Sequence, residues 1–569
     1  MRTQSLGFAL GAGLALSACA TTHLAGLPKA EVAAADSCAD WRWIGITDSS
    51  TNQCPSPGWG WTVKSLFKHE GKDEGYGHEQ RKEEAYGYAG PQPQPTPAPE
   101  QEIRTADVVA ELSRFCVYET TSSKASWHPP FRSPEEAGLA RLDRDCAGIS
   151  RAAVVNLKAG SMADLASHFL AHAGKAERMT ITNRRGVRLA FLDTQPTGNK
   201  LPLAPGRSKH GYTLAHIANR LVCSPESSDD CAAQITTRLA MPMVSFDRAR
   251  QSATDFDYKR GGGLGTQGDL ADAILAEVND WLVDYRLRQD PRHLVLNLSL
   301  GWDPQQLDGL DEQSISRMQA GTQAVYQALQ YAKSLDVLVL AAAGNRRNCC
   351  PQTGGPLLPA AWEQGYPKDD RFGDASRTPL LYAVGGVRSD GRPLANAREG
   401  GMPKRAAYGE NGGVDGVTPW GPEEYTSTGF YTGSSVATAV VSATAALVWD
   451  TVPGLSSAGV MAALDDSGAK LGFPADFWFG GNDAVSAPDA HQISVCGALL
   501  KACKDHTGTA TATGTGTGTG HCPVSSCPDV DTSRTVFPEW AAQPISTSCH
   551  PWLVPQPEDP LCPPCDRGP

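Results

Sequence analysis

Val187-Arg188-Leu189-Ala190-Phe191-Leu192-Asp193-Thr194 is an apolar run of strand length that ends on a carboxylate. Such a run, without strict alternation of polar and apolar positions, reads as a strand covered on both faces. Three similar runs follow, at Leu294–Leu298, Val337–Ala343 and Leu380–Val387. Helical periodicity fills the intervals, over Leu270–Tyr285 and Ile315–Leu335. Strands alternating with long helices predict an α/β fold of three layers, with a mostly parallel central sheet and helices on both faces. Val436–Trp449 is rich in Ala and Val and predicts a helix buried all round, and Leu455–Ala469 predicts another, capped by Ser456 or Ser457.

The pattern fades on both sides of this region. Residues 20–104 read as irregular: Lys68–Glu84 is crowded with Lys, Glu, Gly and His, and Pro91–Glu100 is a proline-rich spacer. Residues 105–180 read as ordered, with mixed apolar and polar positions over Val108–Val117 and an amphipathic helix over Ala163–Ala176. Beyond about residue 490 the composition collapses. Thr507–Gly520 is a low-complexity Thr/Gly/Ala run that cannot bury apolar surface. Around it lie Cys496, Cys503, Cys522, Cys527, Cys549, Cys562 and Cys565, so residues 490–569 read as a cysteine-rich tail held by staples.

The chain has 569 residues, 16 of them cysteine, and a formal net charge of −12. The acidic balance gives no basic footprint for nucleic acid. No stretch reaches the length of a membrane-spanning helix, so a polytopic membrane protein is excluded. The cysteine content points to an oxidising compartment. Residues 1–19 support export: Arg2 precedes an apolar stretch, Leu6–Leu16, too short to span a bilayer, and Leu16-Ser17-Ala18-Cys19 follows. That ending resembles the bacterial lipobox, in which the cysteine, here Cys19, is lipidated; the other reading is cleavage after Ala18-Cys19-Ala20. Cys38 and Cys54 are placed to staple a small loop, and Cys223 and Cys231 flank a short exposed one. Cys349 and Cys350 are neighbours, a strained pairing, and are expected to bond elsewhere.

Polar residues stand at the strand ends. Asp193 closes the first strand, at the edge where open α/β sheets form sites. Lys209-His210-Gly211-Tyr212-Thr213-Leu214-Ala215-His216 opens a helix, and a His beside Gly at a helix start can stand clear of the backbone. Asn297-Leu298-Ser299-Leu300-Gly301 ends the second strand, and Ala341-Ala342-Ala343-Gly344-Asn345 ends the third. Tyr431-Thr432-Gly433-Ser434-Ser435-Val436-Ala437-Thr438-Ala439 leads into the Ala/Val helix. Taken singly, these are a turn Asp, a surface His, a turn Asn and a helix cap. A Ser at a helix N-terminus also sets its own N–H and the helix dipole beside an oxyanion.

In the order Asp193, His210, Asn345, Ser435, these segments resemble the motifs of the subtilisin-like serine peptidases, the subtilases, over roughly residues 185–475. The resemblance implies a subtilisin-like fold and an exported endopeptidase. Ser435 would be the nucleophile, His210 the general base, Asp193 its orienting carboxylate and Asn345 an oxyanion donor. Ser299, Leu300 and Gly301 would bind substrate as an added strand, and Trp302 would narrow the primary pocket or pack at the surface. No cofactor is required, and calcium is open as a structural ion. Partners would be protein or peptide substrates, with membrane contact through a lipid on Cys19. The place of action would be an outer membrane, cell surface or medium of a Gram-negative-type bacterium.

Departures from the family pattern touch loops more than the triad. Gln195-Pro196 replaces the usual Gly after Asp-Thr, Thr213 replaces the second His of the His motif, Val436 replaces the Met after the nucleophile, and Ala439 replaces the Pro that closes its motif. His210 and Asn345 argue against the related sedolisins, which carry Glu and Asp there. The resemblance divides the chain into a signal peptide with lipobox (1–19), an irregular linker region (20–104), a prosegment or N-terminal extension (105–180), a peptidase domain (181–489) and the tail (490–569).

Rival readings are an esterase or lipase using the same Ser, and a degenerate subtilase serving as a surface binding module. The esterase fold needs its Asp and His after the Ser, where only His491, His506, His521 and His550 remain. His168 and His172 have metal-like spacing, but no Glu follows the first, so no metal site is expected.

Overall fold

A computed structural model describes residues 38–48, 53–67, 105–120, 129–151, 154–156, 169–170, 173–175, 186–195, 208–224, 230–247, 252–256, 261–288, 290–304, 315–345, 355–364, 379–388, 391–394, 396–398, 400–410, 412, 417–418, 421–422, 430–471, 490–507 and 527. In chain order the elements are β1 (Cys38–Thr47), β2 (Thr62–Ser65), α1 (Thr105–Leu112), β3 (Phe115–Glu119), β4 (Leu139–Arg151), β5 (Val154–Asn156) and β6 (Val187–Asp193). Then come α2 (His210–Val222), β7 (Ala233–Leu239), β8 (Met243–Asp247), β9 (Ser252–Phe256), β10 (Leu264–Thr266), α3 (Gln267–Arg288), β11 (His293–Leu298) and β12 (Leu300–Gly301). The last are α4 (Ala320–Ser334), β13 (Leu338–Ala342), β14 (Tyr382–Val387), β15 (Arg405–Tyr408), α5 (Ser434–Thr451), α6 (Ser457–Ser467) and α7 (Val495–Thr507).

The central sheet runs β7-β6-β11-β13-β14-β15 with every neighbouring pair parallel. His491–Gln492 adds a further parallel pairing, and Ala469–Lys470 closes that edge antiparallel. All seven residues of β6 are buried, as are those of β13 and β14. The cause lies in the layers. Ala190, Leu192, Leu296 and Val339 join the core formed with α3 and α4, while Leu189, Phe191, Val295 and Leu338 join the core formed with α2, α5, α6 and α7. Alternate residues of each strand therefore enter opposite layers, and the predicted three-layer architecture is what forms. α5 is buried along almost its whole length, as its composition predicts, and Ser456 caps α6 by accepting the Gly459 N–H at 3.1 Å.

A second, antiparallel sheet runs β2-β3-β1-β4-β10-β8-β9, with β12 also paired to β4. Its strands β1 and β2 lie within residues 20–104, the range that sequence reads as irregular. The physical reason is that β1 pairs with β3 and β4, far along the chain, and Ile44 and Ile46 enter the α3–α4 core. Cys54 bonds Cys116 on β3, so the expected Cys38–Cys54 staple is not the one formed. Cys223–Cys231 is formed as expected.

The hydrophobic core does not stop at residue 489. Val495, Cys496, Ala498, Leu499 and Ala502 of α7 are buried against the α5–α6 layer, and Cys496 bonds Cys527. The opening of the supposed tail is thus a core helix. The lipobox Cys19, the Pro91–Glu100 spacer, His168, His172, Cys349 and Cys350 lie outside the described residues.

Candidate active site

Chain order places β6 between β7, which follows it, and β11, which comes later. The sheet therefore reverses its winding direction at β6–β11, and the crevice at the carboxyl ends of such strands is where open α/β sheets bind ligands. Asp193 ends β6 at that point, 1% exposed. Its Oδ1 accepts the Thr194 N–H at 2.7 Å. The chain returns as α2, of which His210 is the first residue. His210 Nδ1 lies 2.9 Å from each Asp193 oxygen. The Gly211 N–H donates to Thr194 Oγ1 at 3.1 Å, and the His210 N–H donates to Ser208 Oγ at 3.3 Å. A Cβ at position 211 would stand 2.7 Å from Asp193 Cβ, so the glycine after His210 is what lets α2 start against the strand end.

The carboxylate beside Nδ1 favours the tautomer that carries its proton there, leaving Nε2 as an acceptor. Among the described residues, Nε2 is buried and has no hydrogen-bond partner. Tyr431 packs edge-on to the imidazole, with ring centroids 5.3 Å apart and planes at 86°.

Ser435 comes from α5, which packs in the same layer as α2. Gly433 is the N-cap of α5 and offers no side-chain cap, so Ser434 and Ser435 are helical residues rather than caps. The Ser435 hydroxyl donates to the Ser299 carbonyl at 2.8 Å. Ser299 Oγ in turn lies within hydrogen-bonding reach of the Ser435 carbonyl, at 3.0 Å, and of Asn297 Oδ1, at 2.7 Å. Asn297 Nδ2 donates to Ser442 Oγ at 2.9 Å, one helical stretch further along α5. These bonds fix the end of β11 against α5.

Asn345 follows Gly344, whose φ of +95° is left-handed backbone that suits glycine. Asn345 Oδ1 accepts the Ser434 N–H at 3.0 Å, and Ser434 Oγ accepts the Gly344 N–H at 3.0 Å. The amide is thus oriented by its oxygen, at the residue next to Ser435.

Of the residues expected from sequence, Asp193 and His210 are joined, Ser299 and Ser435 are joined, and Asn345 is tied to Ser434, the neighbour of Ser435. Ser435 Oγ and His210 Nε2 are not hydrogen bonded; the hydroxyl is turned to Ser299. The edge Leu300–Gly301 is itself occupied: Leu300 pairs with Arg151 and Gly301 with Ser150 of β4. Trp302 does not line a pocket or the surface. It is fully buried in the α3–α4 core, edge-on to Trp362 at 5.7 Å, because the apolar layer there has room for a large ring. Sequence reading passed over Asn297, Ser442, Ser434 and Tyr431. The one available signal was Asn297 itself, a polar residue inside an apolar strand run.

Among described residues, no group of three or more His, Cys, Asp or Glu is placed to hold a metal ion. Residues 249–480 match the model of the subtilase family. Asn345 and Ser435 fall inside that stretch, and Asp193 and His210 precede it. No curated protein matches the chain. Among solved structures, the prenylagaramide maturation protease PagA is similar at 19% identity, covering 60% of this chain and 99% of that one, with a TM-score of 0.33. Residues 249–480 are thus a subtilase-family domain.

Proposed function

We propose that the protein is a serine endopeptidase in which Ser435 attacks a peptide carbonyl, with His210 as general base and Asp193 holding the imidazole. The observation that carries this is the buried His210, bonded through Nδ1 to both Asp193 oxygens while Nε2 is left without a partner. A buried nitrogen without a bond costs free energy, and catalytic sites are where that cost is borne. Turning the Ser435 hydroxyl from the Ser299 carbonyl to Nε2 completes the relay; catalytic hydrogen bonds in empty sites are often unformed until substrate arrives. The oxyanion would lie between the Ser435 N–H and Asn345 Nδ2, at the N-terminus of α5. His210 then hands its proton to the leaving amine, and water repeats the cycle on the acyl-enzyme. No step uses a cofactor; calcium would act only as a structural ion.

The same reading makes the N-terminal unit a prosegment. β4 pairs with Leu300–Gly301, and β5 pairs with Phe430–Thr432, three residues before Ser435. The chain's own backbone thus stands where a substrate strand would be added. Export as a lipoprotein through Cys19 belongs to the proposal as well, and the mature N-terminus, read by peptide sequencing, tests both points. A start at Cys19 or Ala20 with no second cut would remove the prosegment.

Ser435→Ala is expected to abolish casein cleavage while leaving the fold intact, as read by circular dichroism and thermal unfolding. A Ser435→Ala protein that still cleaved casein would sink the assignment. Hydrolysis of a short-chain ester without casein cleavage would favour the esterase reading. No labelling of wild type by a fluorophosphonate would favour the binding module.

A further inference from the structure

Resting on the peptidase reading, we infer that Leu357 limits the residue on the acyl side of the cleaved bond to a small one. A peptide laid on Ser299–Gly301, with its carbonyl between Ser435 and Asn345, must send that residue's side chain either to solvent or between two strand ends. Those ends are Ser299–Trp302 and Ala343–Asn345, and each presents a glycine to the gap, Gly301 and Gly344. Leu357 fills the space that the two glycines leave. A Cβ at Gly344 would stand 2.4 Å from Leu357 Cγ, and one at Gly301 would stand 2.5 Å from the Leu358 carbonyl oxygen and 2.9 Å from Leu357 Cβ.

The plug is held by backbone on both sides. The Leu357 N–H donates to the Ala343 carbonyl at 2.8 Å, and Leu358 exchanges two bonds with Trp302, at 2.9 and 3.0 Å. Leu357 is 6% exposed, so it has little room to swing away. Behind it, Arg398 pairs with Asp303 at 3.3 Å and donates to the Gly355 carbonyl at 2.7 Å. A peptide side chain larger than a methyl group would have to displace Leu357 from between two paired segments, and overfilling a packed site is costly.

The test is a pair of fluorogenic peptides, identical except for Ala or Phe before the bond, hydrolysed by the full chain and by Leu357→Ala. Cleavage positions in casein, mapped by mass spectrometry, accompany them. Wild type is expected to favour Ala by about tenfold or more in kcat/KM, and Leu357→Ala to raise the Phe peptide by about 10- to 100-fold with little change for the Ala peptide. Wild type that cuts both peptides equally, or cuts casein mostly after large residues, overturns the role of Leu357 and leaves the peptidase reading standing. That result needs no variant, so a poorly folding Leu357→Ala does not rescue the inference. Wild type that hydrolyses neither peptide nor casein overturns both.

Discussion

The central sheet and the second sheet meet at β12, yet they differ in where most of their polar groups stand. In the central sheet the strand interiors are mostly apolar, with Arg188 of β6 and Arg405 of β15 as buried, paired exceptions, and the candidate site groups stand at carboxyl ends: Asp193 at the end of β6, Ser299 after β11 and Asn345 beyond β13. In the second sheet the charges sit inside the strands. Arg42 of β1 is 1% exposed and pairs with Asp145 of β4 at 3.0 Å and with Asp269 of α3 at 2.5 Å. Asp145, fully buried, also accepts the Gly268 N–H at 3.1 Å and the Thr266 hydroxyl at 2.8 Å. The first arrangement offers polar groups to something that comes and goes. The second spends them on locking β4 to β1, β10 and the start of α3, which holds β4 in register beside Leu300–Gly301.

The difference predicts which substitutions damage the fold and which damage the chemistry. Arg42→Ala is expected to have the largest effect on stability, about 3–5 kcal/mol, because it leaves two buried or nearly buried carboxylates without their cation. Thermal or denaturant unfolding would show it. A loss below about 1 kcal/mol would mean that the network is not what holds β4.

Asn345→Ala is expected to do the opposite. Removing one oxyanion donor typically lowers kcat by about 10²–10³, with little change in KM. Its melting temperature is expected to fall by little, the amide oxygen's bonds being to the Ser434 N–H and hydroxyl. An equal fall in stability and activity would show that Asn345 acts by positioning α5 rather than on the oxyanion.

The two regions also differ in how much of them sequence reveals. β6, β11, β13 and β14 are covered on both faces, so each appears as an apolar run, and their polar end residues stand out against it. Leu139–Arg151 of β4 shows no such apolar run, with Arg141, Asp143, Arg144 and Asp145 crowded near its start. What buries Asp145 is Arg42 and Thr266, the latter 121 residues away, and no local pattern encodes such a partner. α7 was hidden for a related reason: its apolar face is matched only by α5 and α6, while the Thr/Gly run beside it suggests a tail. In the candidate site, Asp193, His210, Asn345 and Ser435 are the residues that type and order single out. The Asn297–Ser442 bond spans 145 residues, and β4 on the substrate edge rests on pairing at similar range. Both are products of the fold rather than of a motif.

The smallest expected effect concerns pH and the buried carboxylates of the second sheet. Burial pushes the Asp145 carboxyl up to about 6 from its ordinary 3.8, and the nearby Asp269 raises it too, while Arg42 and the bonds from Gly268 and Thr266 pull the other way. A carboxyl with a higher pKa in the folded state holds its proton more tightly there than in the unfolded chain. Its contribution to stability is therefore complete below about pH 4 and is lost as pH rises through about 6. Wild type is expected to lose melting temperature across that window relative to Asp145→Asn, which cannot titrate at this position. Because Asp145 and Asp269 share Arg42, the midpoint belongs to the group rather than to one residue. If the two curves stay parallel from pH 4 to 7, burial does not dominate at Asp145; a wild type that instead gains stability on rising pH would show that the attraction of Arg42 outweighs desolvation, and the second sheet would then be held more by its ion pair than by its apolar core.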